Sequence, residues 1–202
     1  MITLYSFPFS LPCYRTRLAA CLLGRPAEIV EIDITKGEQQ QADFLRINPL
    51  GQVPALVDLE SNITVSDSVA ILRYLAKNSE NEKWLGASLQ QQTQVDILLS
   101  LTSNELKDSV EKARLINAFK LLPESEFPAC EQVASKILPI LNQKLAGKDW
   151  LTGNTPTIAD IAVYSTLIYI DEAQLALTPY ENILAWIARF ESLAGYLKPV
   201  KM

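Results

Sequence analysis

Strand-like patterns are confined to the first 65 residues of this 202-residue chain, and the patterns after them are helical. Two short apolar runs, residues 2–6 and 27–33, lie on either side of a helical stretch over residues 15–23 that ends before Gly24. A strand, a helix and a strand within about 30 residues form a βαβ unit, in which the strands are parallel and the crossover is right-handed. The first part of the chain is therefore predicted to be a small α/β unit.

The remainder of this part predicts a hairpin and a further helix. Its predicted elements are a polar helical stretch, two short strands and an amphipathic helix, over residues 37–47, 54–58, 63–65 and 67–77. The polar turn between the two short strands is typical of a β-hairpin. Apolar residues at helical spacing from Val69 to Leu75 indicate the final helix. The predicted order of elements is βαβαββα.

Four segments with helical periodicity follow, over residues 89–106, 128–145, 157–172 and 179–193. Pro139 lies inside the second of them and is predicted to remove one backbone hydrogen bond and to kink that helix. Thr157 and Asp160 have the spacing of a capping box, for which we predict a structural role. The predicted division of the chain is an α/β domain, a linker and an all-helical domain, over residues 1–78, 79–87 and 88–202.

The composition excludes several kinds of chemistry. The chain has no histidine, which removes Ser-His-Asp and Cys-His relays, an imidazole base and every histidine-ligated metal site. Its three cysteines lack the paired spacing of a zinc site and are too few for a disulfide framework. We therefore expect no metal and a reducing compartment.

Charge and hydropathy predict where the chain acts. The net charge is −5 and no basic cluster occurs, so we expect neither nucleic acid nor a membrane as a partner. No apolar run reaches the roughly 18 residues of a membrane-spanning helix, and the first residues lack the pattern of a signal peptide. The sequence therefore predicts a cytoplasmic protein.

Three further segments of the chain carry recognisable motifs. They are Asn48-Pro-Leu-Gly-Gln-Val-Pro-Ala-Leu-Val-Asp58, Asp67-Ser-Val-Ala-Ile-Leu-Arg-Tyr-Leu75, and Trp150-Leu-Thr-Gly followed by Thr157-Ile-Ala-Asp160. In order and in spacing, these segments are similar to motifs of the cytosolic glutathione transferases. The first resembles the segment that leads into the family's cis-proline, the second its acidic-Ser-x-Ala-Ile helix and the third its helical-domain signature. The resemblance implies a thioredoxin-like domain joined to an all-helical domain, glutathione as co-substrate, and a homodimer.

The resemblance also implies a glutathione site on the first domain. The backbone of Val53 would pair with the tripeptide like an added strand, and a cis bond to Pro54 would turn that backbone into the pocket. Asp67 and Ser68 stand where a helix begins, and they would hold the γ-glutamyl group. The alternative is that Ser66 or Asp67 is only the N-cap of this helix.

The other end of the tripeptide has fewer candidate contacts in the sequence. Gln52 resembles a glutamine that contacts glutathione in some plant and bacterial classes of the family. Family members often place a histidine or lysine near the glycyl carboxylate. The comparable stretch of this chain offers only Lys36, Gln39 and Gln40. These three residues are the predicted contacts of the glycyl carboxylate.

The loop after the first strand contains Ser10-Leu-Pro-Cys13, which is the redox motif Cys-x-x-Cys with serine in its first, exposed place. By resemblance to the serine-type classes (theta, delta and phi), Ser10 is catalytic and its hydroxyl donates to the glutathione thiolate. One such hydrogen bond contributes roughly 1.5–3 kcal/mol, or about one to two pKa units. The alternatives are that Ser10 is only a helix N-cap and that Cys13 is itself a redox thiol. Strand alternation points Tyr5 away from the site.

The predicted function is conjugation of the glutathione thiolate to small apolar electrophiles. Candidate walls of the electrophile pocket, each of which is alternatively a core residue, are Phe7, Phe9, Leu11, Leu101, Asn104 and Tyr164. One alternative function is a non-catalytic scaffold, because the helical half also resembles the transferase-like domain of the elongation-factor gamma subunit. Another is a glutathione-dependent thiol oxidoreductase that uses Cys13.

Overall fold

The structure is a computed structural model that describes residues 1–77, residue 80 and residues 82–202. In these residues one mixed sheet has the strand order β2-β1-β3-β4, with β1 parallel to β2 and antiparallel to β3, and with β3 antiparallel to β4. The strands are β1 (Ile2–Ser6), β2 (Ala27–Glu31), β3 (Ala55–Asp58) and β4 (Ile63–Val65). The parallel βαβ unit and the hairpin are confirmed.

Helix α1 starts earlier than the sequence pattern predicted. It begins at Leu11, four residues before the predicted start, because Ser10 caps it and the backbone N–H of Cys13 donates to the Ser10 hydroxyl. Pro12 is compatible with this position, since the first turn of a helix needs no backbone N–H donor. The helices of the first domain are α1 (Leu11–Leu22), α2 (Ala42–Leu45) and α3 (Ser68–Lys77).

The segment between β2 and β3 is less regular than predicted. Strand β2 ends at Glu31, short of the predicted residue 33, because Asp33 instead caps a 3₁₀ turn by accepting from the N–H of Thr35. The predicted helix over residues 37–47 is replaced by a second 3₁₀ turn and the one-turn helix α2. Gly37 separates the two turns with a φ of 75°, a conformation that glycine adopts without steric cost.

The second half is helical, as the sequence predicts. Its helical elements are α4 (Leu89–Leu101), a π-helical segment (Thr102–Glu111), α5 (Lys112–Asn117), α6 (Phe127–Leu145), α7 (Ile158–Leu167) and α8 (Glu181–Glu191). The first three follow one another without a break, and we call them the rod. Helix α6 continues through Pro139. No described helix is long and apolar enough to cross a bilayer.

Helix α7 lies at the centre of the helical half, where every one of its residues is buried. The predicted capping box at its start is confirmed, because the N–H of Thr157 donates to the Asp160 carboxylate and the Thr157 side chain caps in return. Asp160 also accepts from the N–H of Leu151 and from the indole of Trp186. Its role is therefore to join α7, α8 and the preceding turn. The helix ends at residue 167, five residues before the predicted end, and turns follow it.

The two halves pack against each other through α1 and α7. The predicted boundary at residue 78, and residues 79 and 81 of the predicted linker, lie outside the described residues. A 3₁₀ turn over Glu82–Leu85 precedes α4. A buried apolar core runs through both halves, from Leu4 and Leu56 of the sheet to Trp186 of α8.

Candidate functional site

A cleft of about 950 Å³ is lined by residues of both halves. The first half contributes the loop after β1, the segment before β3 and the start of α3, and the second half contributes the rod. The cleft therefore contains the segments that carried the sequence resemblance in the first domain. Its wall on the rod is formed by other residues than the sequence predicted.

Ser10 lies in this cleft at the start of α1. Its hydroxyl oxygen accepts a hydrogen bond from the N–H of Cys13 at 3.3 Å, so the N-cap interpretation is correct. An oxygen that accepts from the backbone keeps its own proton as a donor. Capping and donation to a bound group are therefore compatible roles for the same hydroxyl.

Two arginines hold the loop that carries Ser10. The guanidinium of Arg17 donates to the carbonyl of Pro8 at 2.9 Å, and that of Arg114 donates to the carbonyl of Phe9 at 2.8 Å. Arg114 is buried in the rod and forms an ion pair of 2.6 Å with Glu172. Sequence reasoning missed Arg114, because nothing in the local pattern indicates that it reaches a loop 105 residues away.

Cys13 lies outside the cleft. Its side chain is fully buried, and its sulfur accepts a hydrogen bond from the N–H of Phe7 at 3.3 Å. Burial raises the pKa of the thiol, and raised pKa values make cysteines poor nucleophiles. This placement contradicts the alternative in which Cys13 acts as a redox thiol.

The segment before β3 forms one wall of the cleft. The peptide bond between Val53 and Pro54 is cis, as the resemblance implies, and both residues line the cleft. The buried side chain of Asn48 donates to the carbonyl of Gln52 at 2.7 Å and accepts from the N–H of Leu50. The Asn-Pro-Leu-Gly sequence therefore holds this segment in place. The side chain of Gln52 is exposed at the cleft.

The start of α3 brings Asp67 and Ser68 to the same cleft. One oxygen of Asp67 accepts from the N–H groups of Val69 and Ala70, at 3.0 and 2.8 Å, so Asp67 is the N-cap that the alternative interpretation expected. These two N–H groups are already satisfied. The donors left at this helix start are the hydroxyl of Ser68 and its backbone N–H.

Beneath Ser68 lies Arg15, a residue that sequence reasoning did not select. Its guanidinium donates to the hydroxyls of Ser68, Ser165 and Thr166, at 2.9, 3.0 and 3.0 Å. The last two belong to α7, so Arg15 joins the two halves of the protein. Burial lowers the pKa of Arg15, while the carboxylates of Glu111 and Asp67 act in the opposite direction.

The predicted contacts of the glycyl carboxylate are only partly placed at the cleft. Gln39 lines it, and its side-chain oxygen is buried without a hydrogen-bond partner in the described part of the chain. Lys36 does not line it, because its ammonium pairs with Asp33 at 2.9 Å on the exposed side of the turn. Gln40 does not line it either, and its amide instead approaches the carbonyl of Gly51 at 3.4 Å.

Three of the six residues predicted for the electrophile pocket line the cleft. Phe7, Phe9 and Leu11 line the cleft, and the rings of Phe7 and Phe9 have centroids 5.8 Å apart. Lining residues on the rod and beyond that the sequence did not indicate are Thr102, Ser103, Lys107, Leu115, Phe119, Leu121 and Met202.

The other three predicted wall residues lie elsewhere. Tyr164 is fully buried, stacks on Phe190 with ring centroids 4.0 Å apart, and shares a hydrogen bond with Tyr196. Asn104 is exposed and donates to the carbonyl of Ser100 on the outer side of the rod. Leu101 packs against the core. These three residues were misplaced for one physical reason. Helical periodicity shows which residues share a face of a helix, but it does not show which face lines the cleft.

Family models match both halves of the chain. Residues 1–77 match "Glutathione S-transferase, N-terminal domain" and residues 122–194 match "Glutathione S-transferase, C-terminal domain". A zeta-class glutathione S-transferase of Euphorbia esula is 32% identical over 164 residues, which cover 79% of this chain and 72% of that protein. The crystal structure of a glutathione S-transferase from Pseudomonas fluorescens superposes with a TM-score of 0.90 at 30% identity, and covers 99% of both chains.

A second kind of relative shares the same fold. Elongation factor 1-gamma of Drosophila melanogaster is 31% identical over 189 residues, which cover 91% of this chain but only 42% of that protein. The four-stranded mixed sheet, the helical half and the cleft between them define a two-domain protein of the thioredoxin-like class. The chain belongs to the glutathione S-transferase family, and it is a glutathione transferase enzyme.

Proposed function

We propose that this transferase joins the glutathione thiolate to small apolar electrophiles, and that Ser10 is the catalytic residue that stabilises the thiolate. The observation that carries the proposal is the Ser10 hydroxyl at the start of α1, whose oxygen is occupied by the N–H of Cys13 and whose proton is available to the cleft. The positive end of the α1 dipole adds to the stabilisation of an anion there.

The tripeptide is held along the first-domain wall. The backbone of Val53 pairs with it as an added strand, Gln39 and Gln52 lie toward its glycyl end, and Asp67 with Ser68 holds its γ-glutamyl end. Asp67 retains one carboxylate oxygen for the ligand ammonium after it has capped α3. The Ser68 hydroxyl accepts from Arg15 and keeps its proton for the ligand carboxylate.

The apolar part of the cleft accepts the second substrate. Phe7, Phe9 and Leu11 from the first half lie in the same cleft as Leu115 and Phe119 from the second. In the reaction the thiol proton passes to water and the sulfur attacks an electron-poor carbon. A carbon–sulfur bond forms while a leaving group departs with its electron pair. With an activated carbon–carbon double bond, the electron pair of that bond instead moves to the neighbouring carbon, which takes a proton from water. This chemistry needs no metal and is consistent with a role in cytoplasmic detoxification.

Initial rates of conjugation test this proposal. The purified chain should conjugate glutathione to a small aromatic halide faster than to an equally reactive charged electrophile, because most of the lining side chains near Ser10 are apolar. Rates equal to the uncatalysed background with every electrophile tried would contradict the proposal.

We also propose that the chain forms a homodimer through the outer faces of α3 and α4. An ion pair between Arg73 and Asp96 joins these two helices side by side. Leu89 and Ile97 of α4 are 80% and 51% exposed, so this surface presents apolar side chains to solvent. A partner that covers them removes apolar area from water.

A scaffold role is the second candidate function, and the similarity to elongation factor 1-gamma favours it. The two functions differ in one experiment. Retention of the chain on a glutathione resin without conjugation activity supports assembly alone, and measurable conjugation supports the enzyme.

A further inference from the structure

The peptide group that joins Phe9 to Ser10 has both of its polar atoms hydrogen-bonded. Its carbonyl oxygen, which belongs to Phe9, accepts from the guanidinium of Arg114 at 2.8 Å. Its N–H, which belongs to Ser10, donates to the carbonyl of Phe7 at 3.2 Å. A peptide group is planar, so two bonds at its opposite ends fix its orientation. The backbone immediately before Ser10 is therefore held by a residue of the helical half.

Arg114 is itself held firmly on the rod. Its side chain is 3% exposed, its Nε donates to Glu172 at 2.6 Å, and its guanidinium lies 3.8 Å from the centre of the Tyr169 ring. Asn117, one turn further along α5, donates to the carbonyl of Ala173 at 2.8 Å and attaches the same helix to the turns after α7. The donor that meets the loop therefore comes from a fixed point of the helical half.

The hydrogen bonds of Arg114 are not arranged for the greatest stability of its ion pair. Only one oxygen of Glu172 meets the guanidinium, because the other accepts from the N–H of Met202 at 2.7 Å. The buried Nη2 of Arg114 has no hydrogen-bond partner in the described part of the chain. A two-point pair would be stronger, and an unsatisfied buried donor costs free energy. The guanidinium nevertheless keeps its bond to the loop, which points to a role for that bond beyond stability.

The hydroxyl of Ser10 is fixed from both sides of the residue. On one side the N–H of Cys13 donates to it, and on the other side the Phe9 carbonyl is held by Arg114. A rotation of that peptide group would change the direction in which the Ser10 hydroxyl points. Hydrogen bonds weaken steeply as their angle departs from linearity, so such a rotation weakens the bond to a thiolate without removing the hydroxyl.

We propose that Arg114 is a positioning residue for Ser10, through which the helical half fixes the hydroxyl that stabilises the glutathione thiolate. This inference rests on the proposed role of Ser10. Glu172 neutralises the charge of Arg114, so its contribution is the geometry of the loop. The tripeptide is held by other segments of the cleft. The ionisation of the bound thiol therefore depends on Arg114, and the affinity for the peptide does not.

The double variant Arg114→Met/Glu172→Met removes the contact with the loop without leaving a buried charge alone. We expect the pKa of bound glutathione, measured by thiolate absorbance against pH, to rise by about one unit, and kcat at neutral pH to fall about tenfold. The affinity for S-methylglutathione, which has no ionisable thiol, should change less than twofold in calorimetry. The other charged side chains that line the cleft stay in place in this variant, and they are Arg15, Asp67, Lys107 and Glu111.

The same substitutions in a Ser10→Ala background show whether Arg114 acts through Ser10. Two groups that act as one unit have non-additive effects, so we expect no further shift of the thiolate pKa in that background. Equal shifts in both backgrounds, or an unchanged titration where Ser10 is present, would overturn the role of Arg114 and leave the role of Ser10 intact. A Ser10→Ala chain that keeps the parental thiolate titration would instead overturn the proposed function.

Asn117→Ala is the matched control, because Asn117 attaches the same helix to the turns after α7 and does not line the cleft. It should lower stability and leave the thiolate titration unchanged. A shift as large as that of the double variant would mean that any loosening of the rod has the same effect, and would overturn the inference.

If the double variant does not fold, Arg114→Lys tests the same point. It keeps a charge opposite Glu172, but its single ammonium lacks the two separate nitrogens that reach Glu172 and Phe9 at once. We expect the pKa of bound glutathione to rise in this variant too, with the affinity for S-methylglutathione retained. An unchanged thiolate titration would overturn the inference.

Discussion

Ser10 and Ser68 share one arrangement in the unliganded protein. Each hydroxyl oxygen accepts a hydrogen bond from the protein, from the N–H of Cys13 in one case and from Arg15 in the other. Each therefore keeps its proton for a ligand. Because the acceptor side is already fixed, the donor directions are restricted before glutathione binds. Pre-organisation of this kind lowers the entropic cost of binding.

Ser10→Ala tests the thiolate-stabilising role. Loss of one hydrogen bond to a charged sulfur should raise the pKa of bound glutathione by about one to two units and slow conjugation at neutral pH about tenfold or more. Thiolate absorbance against pH measures the first effect and initial rates measure the second. The missing cap should cost about 1 kcal/mol of stability. An Ala variant with the parental rate and thiolate titration would exclude Ser10 as the activating group.

Ser68→Ala tests the γ-glutamyl subsite. We expect glutathione affinity in calorimetry to fall by roughly 1–3 kcal/mol, the range for a hydrogen bond to a charged group, with the fold unchanged. Ser135→Ala is a matched control, because Ser135 is exposed on α6 and does not line the cleft. An unchanged affinity in Ser68→Ala would mean that the subsite lies elsewhere.

The site residues that were predicted correctly from the sequence all belong to short contiguous motifs. Ser10, Val53 and Ser68 each belong to such a segment, and all three line the cleft. Arg15 and Arg114 act through partners that are 53 to 151 residues away in the chain. No local pattern encodes contacts of that separation, so the charged residues of the site emerged only in three dimensions.

At the scale of elements, Tyr74 of α3 joins this helix to the sheet by donating to the buried carboxylate of Asp58 at 2.6 Å. This hydrogen bond, with others from the N–H groups of Glu60 and Ser61, lowers the pKa of Asp58 below its usual value of about 3.9. A lowered pKa in the folded state stabilises the fold above the unfolded-state pKa. The stabilisation is lost as the pH falls through the folded-state value.

Tyr74→Phe should therefore lower the stability measured by urea unfolding at neutral pH. The difference from the wild type should shrink as the pH falls from about 4, the unfolded-state pKa of an aspartate, through the lower folded-state pKa of Asp58. Tyr180→Phe is the matched control, since the hydroxyl of Tyr180 contacts no carboxylate among the described residues. A difference that stays constant from pH 7 to pH 3 would show that Asp58 does not carry the effect.

The ion pair between Arg114 and Glu172 joins the rod to the turns after α7. Both side chains are buried, and Arg114 also stacks on the ring of Tyr169 at 3.8 Å. Removing one partner of a buried pair leaves the other charge uncompensated, so Arg114→Met should cost about 3–5 kcal/mol in urea unfolding. The double variant with Glu172→Met should cost less than this single change. Additive losses would contradict the coupling.

The rod shows where element prediction from sequence fails. The pattern predicted an end at residue 106, whereas the structure continues to Asn117. Buried Leu106, Val110 and Ala113 continue the apolar face through the π-helical segment. These three residues keep helical spacing, so the apolar stripe extends past the predicted end, although the segment itself has the i to i+5 hydrogen bonds of a π-helix. In contrast, α7 and α8 were predicted from the sequence, because their apolar residues recur with the α-helical period.

At the scale of the whole molecule, the order of elements and the division into an α/β half and a helical half followed from the sequence, because strand alternation and helical periodicity are local properties. The cleft between the two halves could not be predicted from the sequence. Its second wall depends on how the rod packs over the first domain, and that packing involves side chains such as Phe119 and Leu121 that no motif contains.

Sedimentation tests the proposed homodimer. We expect a dimer at micromolar concentration, and we expect Ile97→Lys to shift the chain toward monomer because it places a charge on the outer face of α4. Ile140→Lys is the matched control, since Ile140 is 57% exposed on α6, away from the proposed interface. A wild-type monomer at micromolar concentration would remove the proposal.

The placement of Arg15 also bears on whether the two halves are independent modules. Its guanidinium takes one partner from the first half and two from α7, so separating the halves leaves a charged group with most of its hydrogen bonds broken inside an apolar surface. Excision of the first half, or fusion to a foreign helical half without hydroxyls at the positions of Ser165 and Thr166, therefore removes a contribution to folding that neither piece replaces. We therefore expect the two halves of this chain to fold as one unit and not as separable modules.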